Sequence, residues 1–242
     1  MSAIHASVVG SCAASQFFEF NETVTTTVLN YNLAARAVAA GWDSVTRLKS
    51  RVIVSGSGRI GSNNASIAGF DTGICPFGSD ILLTINSGLY LVGKGGDGGG
   101  ASGSSAYKGS PGGPALQARC PMGINNSGVI GGGGGGGNLG YGNGGSPYFI
   151  TGSGGAGEQV GIANSAGKSP GNPGSIASGG ARVYYPNGTQ YNGKGGDLGQ
   201  AGQDSSYYYY PLYETAGAPG AAVIGNSFIT WINLGTRLGA IT

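Results

Sequence analysis

Few residues in this chain are equipped for chemistry. One histidine, His5, stands near the N-terminus, and ten carboxylates are scattered over 242 residues. A Ser–His or Cys–His nucleophile needs its base held by a third group, and none is evident near His5. Glycoside hydrolysis needs two carboxyl groups at a set separation, and the spacing pairs none. Cys12, Cys75 and Cys120 fit neither a disulfide framework nor a zinc pattern and read as free thiols. Gly56-Ser57-Gly58-Arg59-Ile60-Gly61 has the letters of a dinucleotide fingerprint. Such a site needs a helix next, and Ser62-Asn63-Asn64-Ala65-Ser66 is a turn sequence, so glycines in a twisted hairpin are expected. Asp97 and Asp197 sit in Gly-Gly-Asp tracts, but calcium-binding glycine repeats need an acid in every repeat. The residues point to no enzyme, no cofactor and no metal.

What remains is recognition by tyrosine. Of thirteen tyrosines, all but Tyr31 and Tyr90 lie past residue 92. They concentrate in segments 101–108, 138–150, 159–169, 181–190 and 203–214, beside Ser, Asn and Gly. Tyrosine offers a large, rigid face and a hydroxyl, and small polar neighbours adapt to it. The candidate binding residues are Tyr207, Tyr208, Tyr209, Tyr210, Leu212 and Tyr213, supported by Tyr184, Tyr185, Tyr141 and Tyr148. The competing reading packs these rings over the glycine tracts as a thin core.

The elements that must position them are made of glycine. Gly131 to Gly137 is an unbroken run, and glycine supplies 53 of the 242 residues. Each glycine in a helix or strand core costs about 0.5–1 kcal/mol relative to alanine. Its return is close backbone approach: polyproline-II (PPII) chains of three residues per turn carry no internal hydrogen bonds, and glycine lets them bond laterally. The spacing lacks collagen's strict period. Gly-Lys-Gly-Gly-Asp recurs at 93–97 and 193–197, and Gly-x-Pro-Gly at 109–112, 171–174 and 217–220. Ile85-Asn86-Ser87-Gly88 also resembles Ile124-Asn125-Asn126-Ser127-Gly128.

Residues 1–92 hold only nine glycines, which places a boundary between Val92 and Gly93. The expected fold is mostly irregular and β: a small β-rich N-terminal module with one helix over 1–92, then a glycine-rich polyglycine-II (PPII) helix sandwich with inserted loops over 93–242. Strands are expected at 17–29, 45–55 and 81–92, the middle one shifting its alternation at Ser50. Asn32 caps a helix over 33–40, Gly41 ends it, and Trp42 packs back onto it.

Charged residues are 9% of the chain and net charge is +2, with no basic stripe, which argues against nucleic-acid binding. No run reaches membrane-span length and no leader pattern precedes Gln16, so membrane insertion is not expected and synthesis in a reducing cytoplasm is.

Glycine motifs alternating with variable loops resemble the adhesin at the tip of long tail fibres in T-even-type bacteriophages. The motifs concerned are Gly93 to Gly99, Gly109 to Gly113, Ile124 to Gly137 and Gly217 to Thr230. The resemblance spans 88–242 and implies a layered sandwich of polyglycine-II helices. Its loops at one end would contact a bacterial outer-membrane protein or lipopolysaccharide. It also implies a virion protein made in the host cytoplasm. Residues 1–92, which depart from the family's tryptophan-bearing attachment domain, are assigned attachment or oligomerisation, with a phage tail-fibre protein or further copies (a trimer) as partner. A structural virion component without receptor binding is the alternative, and a glycine-rich ice-binding protein a third reading.

Overall fold

The computed structural model describes residues 17–102, 105–106, 108–143, 147–161, 170–184, 191–205 and 215–242. Short apolar runs separated by tight turns wind the chain into coils. The first coil is β1 (Phe17–Val24), β2 (Thr27–Leu29) and β3 (Tyr31–Asn32), followed by α1 (Leu33–Ala39). The second is β4 (Arg47–Val54), β5 (Arg59–Gly61) and β6 (Phe70–Asp71). The third begins with β7 (Asp80–Ile85) and β8 (Tyr90–Val92). It passes through an insertion bearing β9 (Ala101–Ser102) and β10 (Ser105–Ala106), and closes with β11 (Leu116–Gln117). The fourth is β12 (Met122–Asn126) and β13 (Val129–Gly131), an insertion bearing β14 (Gly140–Asn143) and β15 (Pro147–Ile150), and then β16 (Val223–Ile224). The last is β17 (Ile229–Asn233), β18 (Thr236–Leu238) and Ile241, which bridges to Val223.

Equivalent strands stack in parallel into three sheets, β1-β4-β7-β12-β17, β2-β5-β8-β13-β18 and β3-β6-β11-β16. The protein is therefore a three-sided parallel β-solenoid, in which each coil buries its apolar side only against its neighbours. Inward residues form ladders: Val52, Leu83 and Ile124 in the first sheet, Ile60, Leu91 and Ile130 in the second, Tyr31, Phe70, Leu116 and Val223 in the third. All are buried in one cluster, each worth about 1.5–3 kcal/mol on full burial. The Tyr31 and Phe70 rings stack with centroids 5.1 Å apart.

Several expectations need correction. The stretch 17–29 is two strands, broken at Thr25-Thr26, and 81–92 is two strands with Gly88 at φ +77° between them. Leu48, Ser50, Val52 and Val54 are all buried, so β4 alternates without a shift and Ser50 takes an inward place. Gly56 and Gly58 turn a solenoid corner, because β4 and β5 join different sheets and do not form a hairpin. The helix matches its caps: Asn32 Oδ1 accepts from Ala35 N at 2.8 Å, Gly41 has φ +103°, and buried Trp42 donates from its backbone N to Ala37 O. The sheets also cross the compositional boundary at Val92, since β11–β13 and β16–β18 stack on strands from the first 92 residues. Ladder pairing, which composition does not register, joins them.

The glycine tracts leave the solenoid at one corner, between the second and third sheets of the third and fourth coils. They gather around residues 131–138. Gly93, Gly96 and Gly99 donate to Gly131, Gly134 and Gly137 at 2.8–3.0 Å. Gly133 and Gly136 donate to Gly113 and Ser110, and Gly134 and Gly137 to Ala156 and Ser153. Gly135 and Asn138 donate to Gln200 and Gln203, while Gly196 and Gly193 donate to Gly135 and Asn138. Gly220 and Gly217 complete the ring on Gly133 and Gly136. Six tracts thus surround one, every bond recurring at steps of three residues. A Cβ on Gly133 would lie 1.8 Å from Lys94 O, and one on Gly134 2.0 Å from Gly196 O, so no side chain fits.

Candidate functional site

The hydrogen-bond register fixes where the inserted segments emerge. Gly131 sits at the solenoid, and the tract runs outward to Asn138. Level with Gly137 and Asn138 lie Gly99, Gly152, Gly193 and Gln203, while Gly109 and Gly217 approach Gly136. Segments 100–108, 139–151, 182–192 and 204–216 therefore leave and return at the same far end. Gly171, beside Thr151 and Gly152, brings the segment starting at 162 back there too. The Gly-Lys-Gly-Gly-Asp motifs run along two of the tracts, Gly93 to Asp97 outward from the solenoid and Gly193 to Asp197 back toward it, and their charged side chains pair within each motif. Lys94 Nζ lies 3.1 Å from Asp97 and Lys194 Nζ 3.4 Å from Asp197, and Asp197 also accepts from Gly179 N.

Small polar residues anchor the far end. Asn192 Nδ2 donates to Thr151 O at 2.5 Å and to Ser153 Oγ at 3.1 Å, and its Oδ1 accepts from Val183 N. Ser153 Oγ donates to Ala181 O, Thr151 Oγ1 accepts from Gly171 N, and Asn138 Oδ1 accepts from Ser205 N. Asn138, Thr151, Ser153 and Asn192 are all buried, and a buried polar group left unpaired costs about 1–3 kcal/mol. Sequence reasoning did not single these out. The available signal was position, since each stands at or near the end of a glycine tract.

Of the candidate residues, Tyr184 is 58% exposed, bridges to Tyr191 and meets its ring edge-on at 5.5 Å. Arg182 lies over the Tyr191 ring at 4.2 Å and donates to Gln203 Oε1. Tyr141 and Tyr148 fall on β14 and β15, an antiparallel pair that aligns Tyr141 with Phe149 and Gly142 with Tyr148. Tyr185, Tyr207, Tyr208, Tyr209, Tyr210, Leu212 and Tyr213 lie outside the described residues, as do His5 and Cys12. No three His, Cys, Asp or Glu residues cluster as metal ligands among the described residues, and no described helix is long and apolar enough to cross a membrane.

A scaffold that collects loops at one pole defines a class of binding protein. The family model "Phage tail fibre adhesin Gp38" matches residues 19–242, and the chain belongs to that family. It is a receptor-binding adhesin of a bacteriophage tail fibre and a component of the virion. A similar solved structure is the gp37–gp38 adhesin tip complex of the bacteriophage S16 long tail fibre. Identity is 25% and the TM-score 0.67, over 93% of this chain and 82% of that one. No curated protein sequence matches. The likeness begins at residue 19, well ahead of the expected 88, so the first coils are family structure too.

Proposed function

We propose that this adhesin grips a bacterial outer-membrane protein or lipopolysaccharide through the loops at the far end of the glycine bundle, without catalysing a reaction. Tyr207, Tyr208, Tyr209, Tyr210, Leu212 and Tyr213 form the centre of the contact, with Tyr184, Tyr185, Tyr141 and Tyr148 around it. The observation that carries this reading is the convergence of the loop flanks at one pole. The tracts themselves act as polyglycine-II helices, supported by their three-residue bonding step and sixfold surround. A scaffold without side chains has no specificity, so selection falls to the loops, where buried aromatic anchors are typically worth about 2 kcal/mol or more each. Replacing Tyr208, Tyr209 and Tyr210 together by serine is expected to abolish adsorption to host cells while the melting temperature stays within a degree or two. Unfolding of the variant makes the rings core, and unchanged binding moves the site to segment 138–150. A wild-type protein that never binds host cells supports the structural-component reading.

Division of labour then follows the coils and not residue 92. The solenoid attaches to the fibre and the insertions recognise the host. The S16 structure contains a gp37 partner, and the outer edge of the last coil offers a surface for one. Its strands β17 and β18 end their sheets, and Phe228, Ile232, Leu234, Leu238 and Ile241 are exposed along it. Open parallel edges invite pairing unless covered. Ile232→Glu is expected to block joining to the fibre, read by the loss of adhesin from purified virions, while the free protein still binds cells. Normal incorporation places attachment elsewhere.

A further inference from the structure

The corner between the third sheet and the first carries residues 72–79 after β6 and 118–121 after β11. Phe70 aligns with Leu116 and Asp71 with Gln117, so the two connections start level on successive coils. Thr72 joins them. Its Oγ1 accepts from Arg119 N at 2.8 Å, and its carbonyl oxygen accepts from Cys75 Sγ at 3.8 Å. Cys75 packs against the buried cluster that contains Cys120, and each thiol shifts the other's titration. Cys120 is buried and Cys75 half-buried. The neighbouring Ile74 and Phe77 are exposed, so the corner opens to solvent on the Cys75 side.

We propose that Cys75 and Cys120 are a modification site, closing to a disulfide between the second and third coils once the virion leaves the reducing cytoplasm. The oxidant is a small-molecule disulfide. Cys75, the accessible sulfur, loses its proton to solvent and attacks one sulfur of that disulfide, releasing one small thiolate and leaving a mixed disulfide. The Cys120 thiolate then attacks the Cys75 sulfur, breaks the mixed bond and expels the second small thiolate. Two protein thiols are oxidised and one small disulfide is reduced to two thiols. While both are thiols, contact with Cys75 holds the Cys120 sulfur down to about 7 against the opposing effect of burial, and contact with Cys120 together with burial pushes Cys75 upward. Asp71, the neighbouring carboxylate, is held by Arg119 at 3.0 Å. The link would enclose residues 76–119, with the whole first glycine insertion, and a cross-link spanning a long loop restricts the unfolded chain most.

The experiment treats the folded full-length chain, in a Cys12→Ser background, with glutathione disulfide and digests it under non-reducing conditions. Trypsin separates the two cysteines, because Arg59, Lys94, Arg119 and Lys168 bound peptides 60–94 and 120–168. The expected result is those two peptides linked, two hydrogens lighter than their sum, with a higher melting temperature that dithiothreitol reverses. Cys75→Ser and Cys120→Ser should each remove both the link and the temperature rise while remaining folded and binding cells. Thiols that stay free, or that stop at glutathione adducts, overturn the proposal. So does a linked product whose melting temperature matches the reduced protein in all variants, because the geometry would then not be native.

Discussion

The solenoid and the glycine bundle solve the same packing problem in opposite ways. In the solenoid, backbones stand a strand apart and Leu, Ile and Phe ladders fill the interior. In the bundle, backbones touch and the interior contains almost no side-chain atoms, so backbone hydrogen bonds do the joining. A core of side chains can relax around a lost methyl group. A core of peptide planes has nowhere to put an added one.

That contrast orders the substitutions. Gly134→Val should have the largest effect, since even its Cβ would sit 2.0 Å from Gly196 O. Insoluble protein, or loss of hydrogen-exchange protection across 131–138, is the expected outcome, and a soluble variant with native protection would break the comparison. Leu83→Ala, in the middle of the first sheet's ladder and fully buried, should cost about 2–5 kcal/mol and still fold. Denaturant melts would show a shifted midpoint. A loss as complete as that of the glycine variant would mean that the two cores are equally intolerant.

The smallest effect concerns charge. Burial pushes Glu22 upward, but hydrogen bonds from Arg36 and from Tyr31 OH outweigh it and hold Glu22 below its ordinary value of 4.5. The stability it adds is complete above that value and is lost as pH falls through the lowered folded value. Glu22→Gln should therefore melt slightly lower near pH 7 and lose less on acidification to about pH 3. An identical drop in both proteins would show that the contact contributes nothing.

These differences also explain what could be read ahead of the structure. The helix was legible because Asn32, Gly41 and Trp42 are local signals. The glycine run was legible because only close packing justifies it. The solenoid was not. Its third sheet is built from two-residue strands such as Tyr31–Asn32 and Leu116–Gln117, too short for an alternation to register, and its pairing partners lie some 40 to 110 residues apart in the chain. The likeness of Ile85-Asn86-Ser87-Gly88 to Ile124–Gly128 was the visible trace of it, since both turn the same corner one coil apart. The tyrosine-rich segments stood out by composition, whereas Asn192 and Ser153, which tie the loop bases down, are ordinary polar residues whose partners lie 28 to 41 positions away.

The sixfold ring around residues 131–138 has a thermal consequence. Unfolding exposes apolar surface in the solenoid, which raises heat capacity, but in the bundle it exposes mainly peptide groups, which lower it. The bundle's free energy of unfolding should thus bend little with temperature, and cooling, which weakens apolar cores, should leave it nearly untouched. A calorimetric trace of the whole protein would then have a heat-capacity step smaller than its 242 residues imply. The pole where the loop flanks gather would be held at much the same stiffness in cold water as in warm.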